Sequence, residues 1–189
     1  ESTRSRWRRR AASSRDFRNQ QHAPPERPPA DMVQIYSAGD ADTRQKDKPP
    51  PPAGYGTVVT ARGRVVFKTA GQIVARQTPN VKTTTQNLAD LVAFVRALQW
   101  AVGHGLARGK PVCIRYHSEY AARISTGAWK AKKHKAMAEE AQRAWAQLQR
   151  ISGGRAWMQH APDAGNYAVA GGLAKAGKGG ASMYAQVVD

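Results

Sequence analysis

Six side chains within seven residues, Trp129, Lys130, Lys132, Lys133, His134 and Lys135, set four ammonium groups beside an indole. Such a strip can hold several phosphates while the ring covers a sugar or base face. The alternative is a solvated helix face, with Glu139 and Glu140 one turn on pairing with Lys135 and His134. The charge balance favours binding: 30 Lys+Arg against 13 Asp+Glu leave a formal net charge of +17 over 189 residues, which implies a polyanionic partner. A second basic element, Arg4, Arg6, Arg8, Arg9 and Arg10 with Trp7, has the composition of segments that thread along folded RNA. That composition equally suits a leftover targeting sequence.

Other chemistries find less support. A zinc cluster would have to come from His104, His117, His134, His160 and Cys113, but no pair has a spacing such as His-x3-His or Cys-x2-Cys. Gly171-Gly172 and Gly177-Lys178-Gly179-Gly180 read as flexible turns and tail rather than a phosphate-cradling loop. Cys113, the one cysteine, cannot form an internal disulfide. No run of about 18 apolar residues is present, so no membrane span is expected.

The elements that must position these groups follow from patterning. Residues 1–31 hold eight Arg and the run Pro24-Pro25-Glu26-Arg27-Pro28-Pro29, too little apolar surface to offset chain entropy, and are expected to be a basic, extended Pro/Arg-rich arm. Residues 32–178 are expected to form one domain and 179–189 a C-terminal tail. Val33, Ile35 and Tyr36 mark a first strand; Asp40 to Ala53 is a polar loop ending in four prolines. Strands over 56–61 and 64–70, joined by Arg62-Gly63, complete an antiparallel meander. Leu88, Leu91, Val92, Val95, Leu98 and Val102 recur every three or four residues, an amphipathic helix capped at Thr84 or Thr85. A buried strand over 111–116, a helix over 137–151, a strand at 156–159 and a small-residue helix near 167–176 complete the order.

This order, with several local strings, resembles the ribonuclease H family across about residues 33–178. Val33-Gln34-Ile35-Tyr36-Ser37-Ala38-Gly39 resembles the family's first strand, with Ala38 in the place of an acid. Leu88-Ala89-Asp90-Leu91-Val92-Ala93 resembles its first helix, with Asp90 for a glutamate. Val112 to Ala122 resembles the strand and turn that present an aspartate, here His117. Thr126-Gly127-Ala128-Trp129-Lys130-Ala131-Lys132-Lys133 resembles the basic segment laid against a hybrid duplex. His160-Ala161-Pro162-Asp163-Ala164-Gly165-Asn166 and Leu173-Ala174-Lys175-Ala176-Gly177 resemble the closing motif, whose histidine is His160 and whose acid falls at Ala170 or Gly171. The resemblance implies an α/β fold with a five-stranded mixed sheet, and a family activity, cleavage of RNA in RNA–DNA hybrids, that uses two Mg²⁺ ions held by four carboxylates.

Of those four, the resemblance leaves Asp90 alone. Two adjacent hard cations need more oxygen ligands than one, and imidazole suits softer metals. Asp40 and Asp42 lie just past the strand end, displaced by about 6–7 Å per two residues. The expectation is therefore a pseudoenzyme without a metal cofactor: an RNA-binding structural component of an organellar ribonucleoprotein in the mitochondrial matrix, the mitochondrial ribosome or its assembly intermediate, contacting ribosomal RNA and neighbouring proteins. The alternatives are a divergent metal-dependent ribonuclease H and a protein-interaction module using the old cleft and Pro49–Pro52.

Overall fold

The computed structural model describes residues 22–43 and 47–186. The meander forms as patterned: β1 (Val33–Ala41), β2 (Ala53–Ala61) and β3 (Arg64–Ile73) run antiparallel, Gln34 opposite Thr60 and Gly56 opposite Ala70. Arg62 and Gly63 both take positive φ, 51° and 76°, the left-handed pair that matches the twist of a two-residue hairpin. β4 (Val112–Tyr116) lies parallel to β1, and β5 (Ala156–His160) parallel to β4.

The sheet has six strands rather than five. Met183–Gln186, inside the expected tail, forms β6 and pairs antiparallel with β3, giving the order β5-β4-β1-β2-β3-β6. β3 would otherwise end the sheet with a row of unpaired backbone groups, and the short strand covers it. Tyr184 on β6 packs edge-on against Phe67 at 4.8 Å.

Among the described residues four helices flank the sheet: α1 (Gln86–Gly103), α2 (Glu119–Ser125), α3 (Lys135–Ile151) and α4 (Gly165–Lys178). Thr85 caps α1, its side chain accepting the Leu88 N–H. All of Leu88, Leu91, Val92, Val95 and Leu98 are buried, placing α1 between the sheet and α3, whose Trp145 and Leu148 close the same core. At roughly 1.5–3 kcal/mol for each fully buried aliphatic side chain, this interface outweighs any local propensity. α4 covers the other face of β1 and β2, where Ala38, Val58, Tyr167, Ala170 and Ala174 form a small cluster. It approaches closely because β2 offers glycine: a Cβ at Gly56 would overlap the Ala170 carbonyl.

α2 has no counterpart among the expected elements. It is seven residues long, nucleated by Ser118, whose hydroxyl accepts the Ala121 N–H at 3.3 Å. Part of the expected arm is also tied down: the His22 carbonyl accepts the Met158 N–H at 2.6 Å and its ring meets Trp145 edge-on. No helix among the described residues is long and apolar enough to cross a membrane.

Candidate functional site

β1 and β4 are neighbouring parallel strands, and a cavity of about 380 Å³ opens at their carboxyl ends. Crevices of this kind, beyond the ends of parallel strands, are where sheets of this class place ligands. β1 contributes Ala38, Gly39 and Asp40; the first turns of α1 contribute Gln86 and Asp90; the β4–α2 turn contributes His117 and Ser118; and the β5–α4 region contributes Asp163, Tyr167 and Gly171.

Asp90 ties two elements together. Its Oδ1 accepts the Gly39 N–H at 3.1 Å and the Gln86 side-chain amide at 3.2 Å. Gln86 also donates to the Gly39 carbonyl at 2.9 Å and accepts the Ala41 N–H at 3.0 Å, so the end of β1 is stitched to α1. This needs glycine at 39, because a Cβ there would overlap the Ala89 carbonyl group. Burial pushes the Asp90 carboxyl up to about 6; hydrogen bonds from Gln86, Gly39 and Ser118 and the nearby His117 oppose that rise.

His117 and His160 face each other with ring centroids 5.0 Å apart, and Tyr167 lies 5.6 Å from His117. One His117 ring nitrogen, Nδ1, sits 3.2 Å from the Ala161 carbonyl, which favours a proton on Nδ1. Burial, with Asp90 and Asp163 nearby, pushes the Tyr167 hydroxyl far up, so it stays neutral.

Asp40 lines the cleft with Ala38 although two residues further along the strand, but its carboxylate is engaged. The Lys178 ammonium lies 2.7 Å from Asp40 Oδ2 and 2.7 Å from Asp42 Oδ1. These two hydrogen bonds raise the Lys178 pKa and keep it charged. Among the described residues, no group of three or more His, Cys, Asp or Glu is arranged to hold a metal ion. Ala170 and Gly171 differ in packing. Ala170 is fully buried against β2, whereas Gly171 faces the cleft, with nothing within 4 Å of where a Cβ would stand.

The cationic strip lies on the other side of the start of α1. Trp129, Lys130, Lys132, Lys133 and His134 line a second cavity of about 700 Å³ with Thr85, Asn87, Tyr120, Ile124 and Ala128. Residues 126–134 form the connection between α2 and α3, not a helix face. Lys135 opens α3, exposed, and does not line this cavity. Glu140 is occupied elsewhere, accepting from Asn80 at 3.1 Å and Gln99 at 2.6 Å. No ion pair among the described residues takes any of the four lysines. Arg4, Arg6, Trp7, Arg8, Arg9 and Arg10 lie outside the described residues. Gln86, Asp163 and Lys178 were not singled out by sequence as cleft residues; only Gln86, one turn before Asp90 on the helix, carried a signal that could have found it.

The six-stranded mixed sheet with helices on both faces defines a ribonuclease H-like architecture, and comparison with solved structures agrees. The RNase H1 of the halophilic archaeon Halobacterium salinarum is 23% identical, with 77% of this chain covering 96% of that one at a TM-score of 0.53. LC11-RNase H1 in complex with an RNA/DNA hybrid is 25% identical, with 76% of this chain covering 94% of that one at a TM-score of 0.56. A foamy viral protease-reverse transcriptase in complex with an RNA/DNA hybrid is 19% identical; 82% of this chain matches 21% of that longer one at a TM-score of 0.60. No protein-family model and no curated relative matches the chain. The protein has a ribonuclease H-like fold.

Proposed function

We propose that this chain is a non-catalytic ribonuclease H-like protein that binds structured RNA as a structural component of a ribonucleoprotein. The observation that carries the reading is the composition of the cleft. At the positions that the resemblance matches to the family's four carboxylates it presents Ala38, Asp90, His117 and, of the pair Ala170 and Gly171, Gly171. The donor set does not fit two Mg²⁺ ions. One carboxylate with a raised pKa, already accepting two hydrogen bonds, offers little to a pair of hard cations. Asp40 is paired with Lys178, and His117 offers a ring nitrogen in place of an anionic oxygen.

Binding is supported by the four lysines, which take no ion pair among the described residues, by the half-exposed Trp129 beside them and by the net charge of +17. Two neighbours were solved with RNA/DNA hybrids, which supports a nucleic-acid surface on this architecture. The proposed setting is an organellar particle, the mitochondrial ribosome or its assembly intermediate. It rests on the Arg- and Ser-rich start of the chain.

The test is one preparation assayed twice. Structured RNA should bind with an affinity that falls steeply as salt rises, and an RNA–DNA hybrid should stay uncut in Mg²⁺ or Mn²⁺. Metal-dependent cleavage that disappears on Asp90→Asn would establish the enzyme instead.

A further inference from the structure

The strip of lysines does not lie on a flat or convex surface. It rims a hollow of about 700 Å³ whose walls include Tyr120, Ile124, Ala128 and Trp129. The local chain builds this shape. α2 ends at Ser125, Thr126 Oγ1 caps the Arg123 carbonyl at 3.2 Å, and Gly127, at a φ of 75°, turns the chain outward. The Trp129 N–H then bonds back to the Arg123 carbonyl at 3.1 Å, which anchors the backbone while 45% of the residue stays exposed. His134 closes the segment in the left-handed region, φ 56°, before α3 begins. The Trp129 backbone is therefore held in place while its side chain is left partly uncovered.

A basic rim around apolar and aromatic walls selects a particular ligand. A regular duplex presents phosphates outward and keeps its bases stacked, so it could touch the rim but leave the hollow unfilled. An unpaired nucleotide can turn its base into an apolar hollow, stack it on an aromatic ring and leave its phosphates outside. An acidic peptide would match the charge but has no flat ring to meet the indole.

We infer that the hollow framed by Trp129, Tyr120 and Ile124 receives one unpaired nucleotide of an RNA, its base on the aromatic walls and its flanking phosphates on Lys130, Lys132 and Lys133. This rests on the RNA-binding reading above and narrows it: the protein recognises a bulge, loop or strand end rather than a continuous helix. The chemistry differs from laying a hybrid duplex along the strip, because affinity here depends on the base and not on the backbone alone.

The experiment uses the full chain and three blunt-ended RNA hairpins of equal length and charge, each closed by the same non-nucleotide linker in place of a loop: fully paired, with a single unpaired adenosine, and with an abasic residue at that unpaired position. Affinities are measured by fluorescence anisotropy at fixed salt. The unpaired adenosine should bind about tenfold tighter than either other hairpin. Trp129→Leu should remove that preference, so that the three hairpins bind alike. Lys132→Gln with Lys133→Gln should weaken all three hairpins and reduce the salt slope by about 1.5. Equal affinity for the three hairpins overturns the inference and leaves the RNA-binding reading standing. An absence of binding to all three overturns both, and tighter binding to an acidic peptide than to any hairpin assigns the hollow to a protein partner.

Discussion

Asp90 Oδ1 accepts the Gly39 N–H across 51 residues of chain, so a buried carboxyl at the edge of the cleft fastens α1 to β1. A residue used this way can persist for structural reasons after any reaction has gone. The buried carboxyl, the glycine that permits the approach and Gln86 alongside form one unit, which fixes this wall of the cleft.

The raised Asp90 pKa makes stability depend on pH. Its folded value, about 6, lies above the ordinary 3.8, so the fold binds the proton more tightly than the unfolded chain does. Its contribution is fully present below pH 3.8 and is lost as pH rises through about 6. Asp90→Asn keeps an acceptor for Gly39 and should raise unfolding stability at pH 8 by on the order of 2 kcal/mol, with little effect at pH 4. Urea titrations across that range check the sign.

Three glycines separate close approach from open space. Gly39→Ala and Gly56→Ala each force a methyl into backbone of a facing helix and should cost about 3 kcal/mol or more. Gly171→Ala meets nothing within 4 Å in the middle of α4 and should stabilise by roughly 0.5–1 kcal/mol. Thermal unfolding of the three variants orders them.

The Lys178 pair with Asp40 and Asp42 is partly exposed, so its loss should be mild. Lys178→Met should cost less than about 1 kcal/mol, and the difference from wild type should shrink as salt rises. Denaturant midpoints at low and high salt measure it.

Rebuilding the acids should restore metal binding. Ala38→Asp, Asp90→Glu, His117→Asp and Gly171→Asp combined place four carboxylates at the cleft positions. Calorimetry should detect Mn²⁺ binding by this variant and none by wild type. Gly171 accepts the change in open space, whereas Ala38 lies in an apolar cluster and should account for most of the stability lost.

How much of this was legible depends on whether the signal is local. The α1 stripe and its Thr85 cap, the Arg62-Gly63 turn and the alternation in β1 are periodic or capping signals, and each element formed where it was expected. α2 and β6 escaped because seven and four residues carry too little period to stand out. Lys178 meets Asp40 across a separation of 138 positions, and no spacing rule connects them. Ala170 and Gly171 differ by one residue, about 100° around a helix, and only the packing of α4 on β2 tells the buried one from the open one. The cationic residues were plain in the sequence, but their arrangement around a hollow depends on α2 and Gly127, which local patterning did not reveal.

The most direct test of the central claim is a single reaction containing the full chain, an end-labelled RNA–DNA hybrid, a structured RNA and Mg²⁺ or Mn²⁺, followed for both retention and cleavage. RNA should be retained in a salt-sensitive manner, with both substrates intact. Metal-dependent cutting of the hybrid that Asp90→Asn abolishes, or no retention of RNA at low salt, would contradict it.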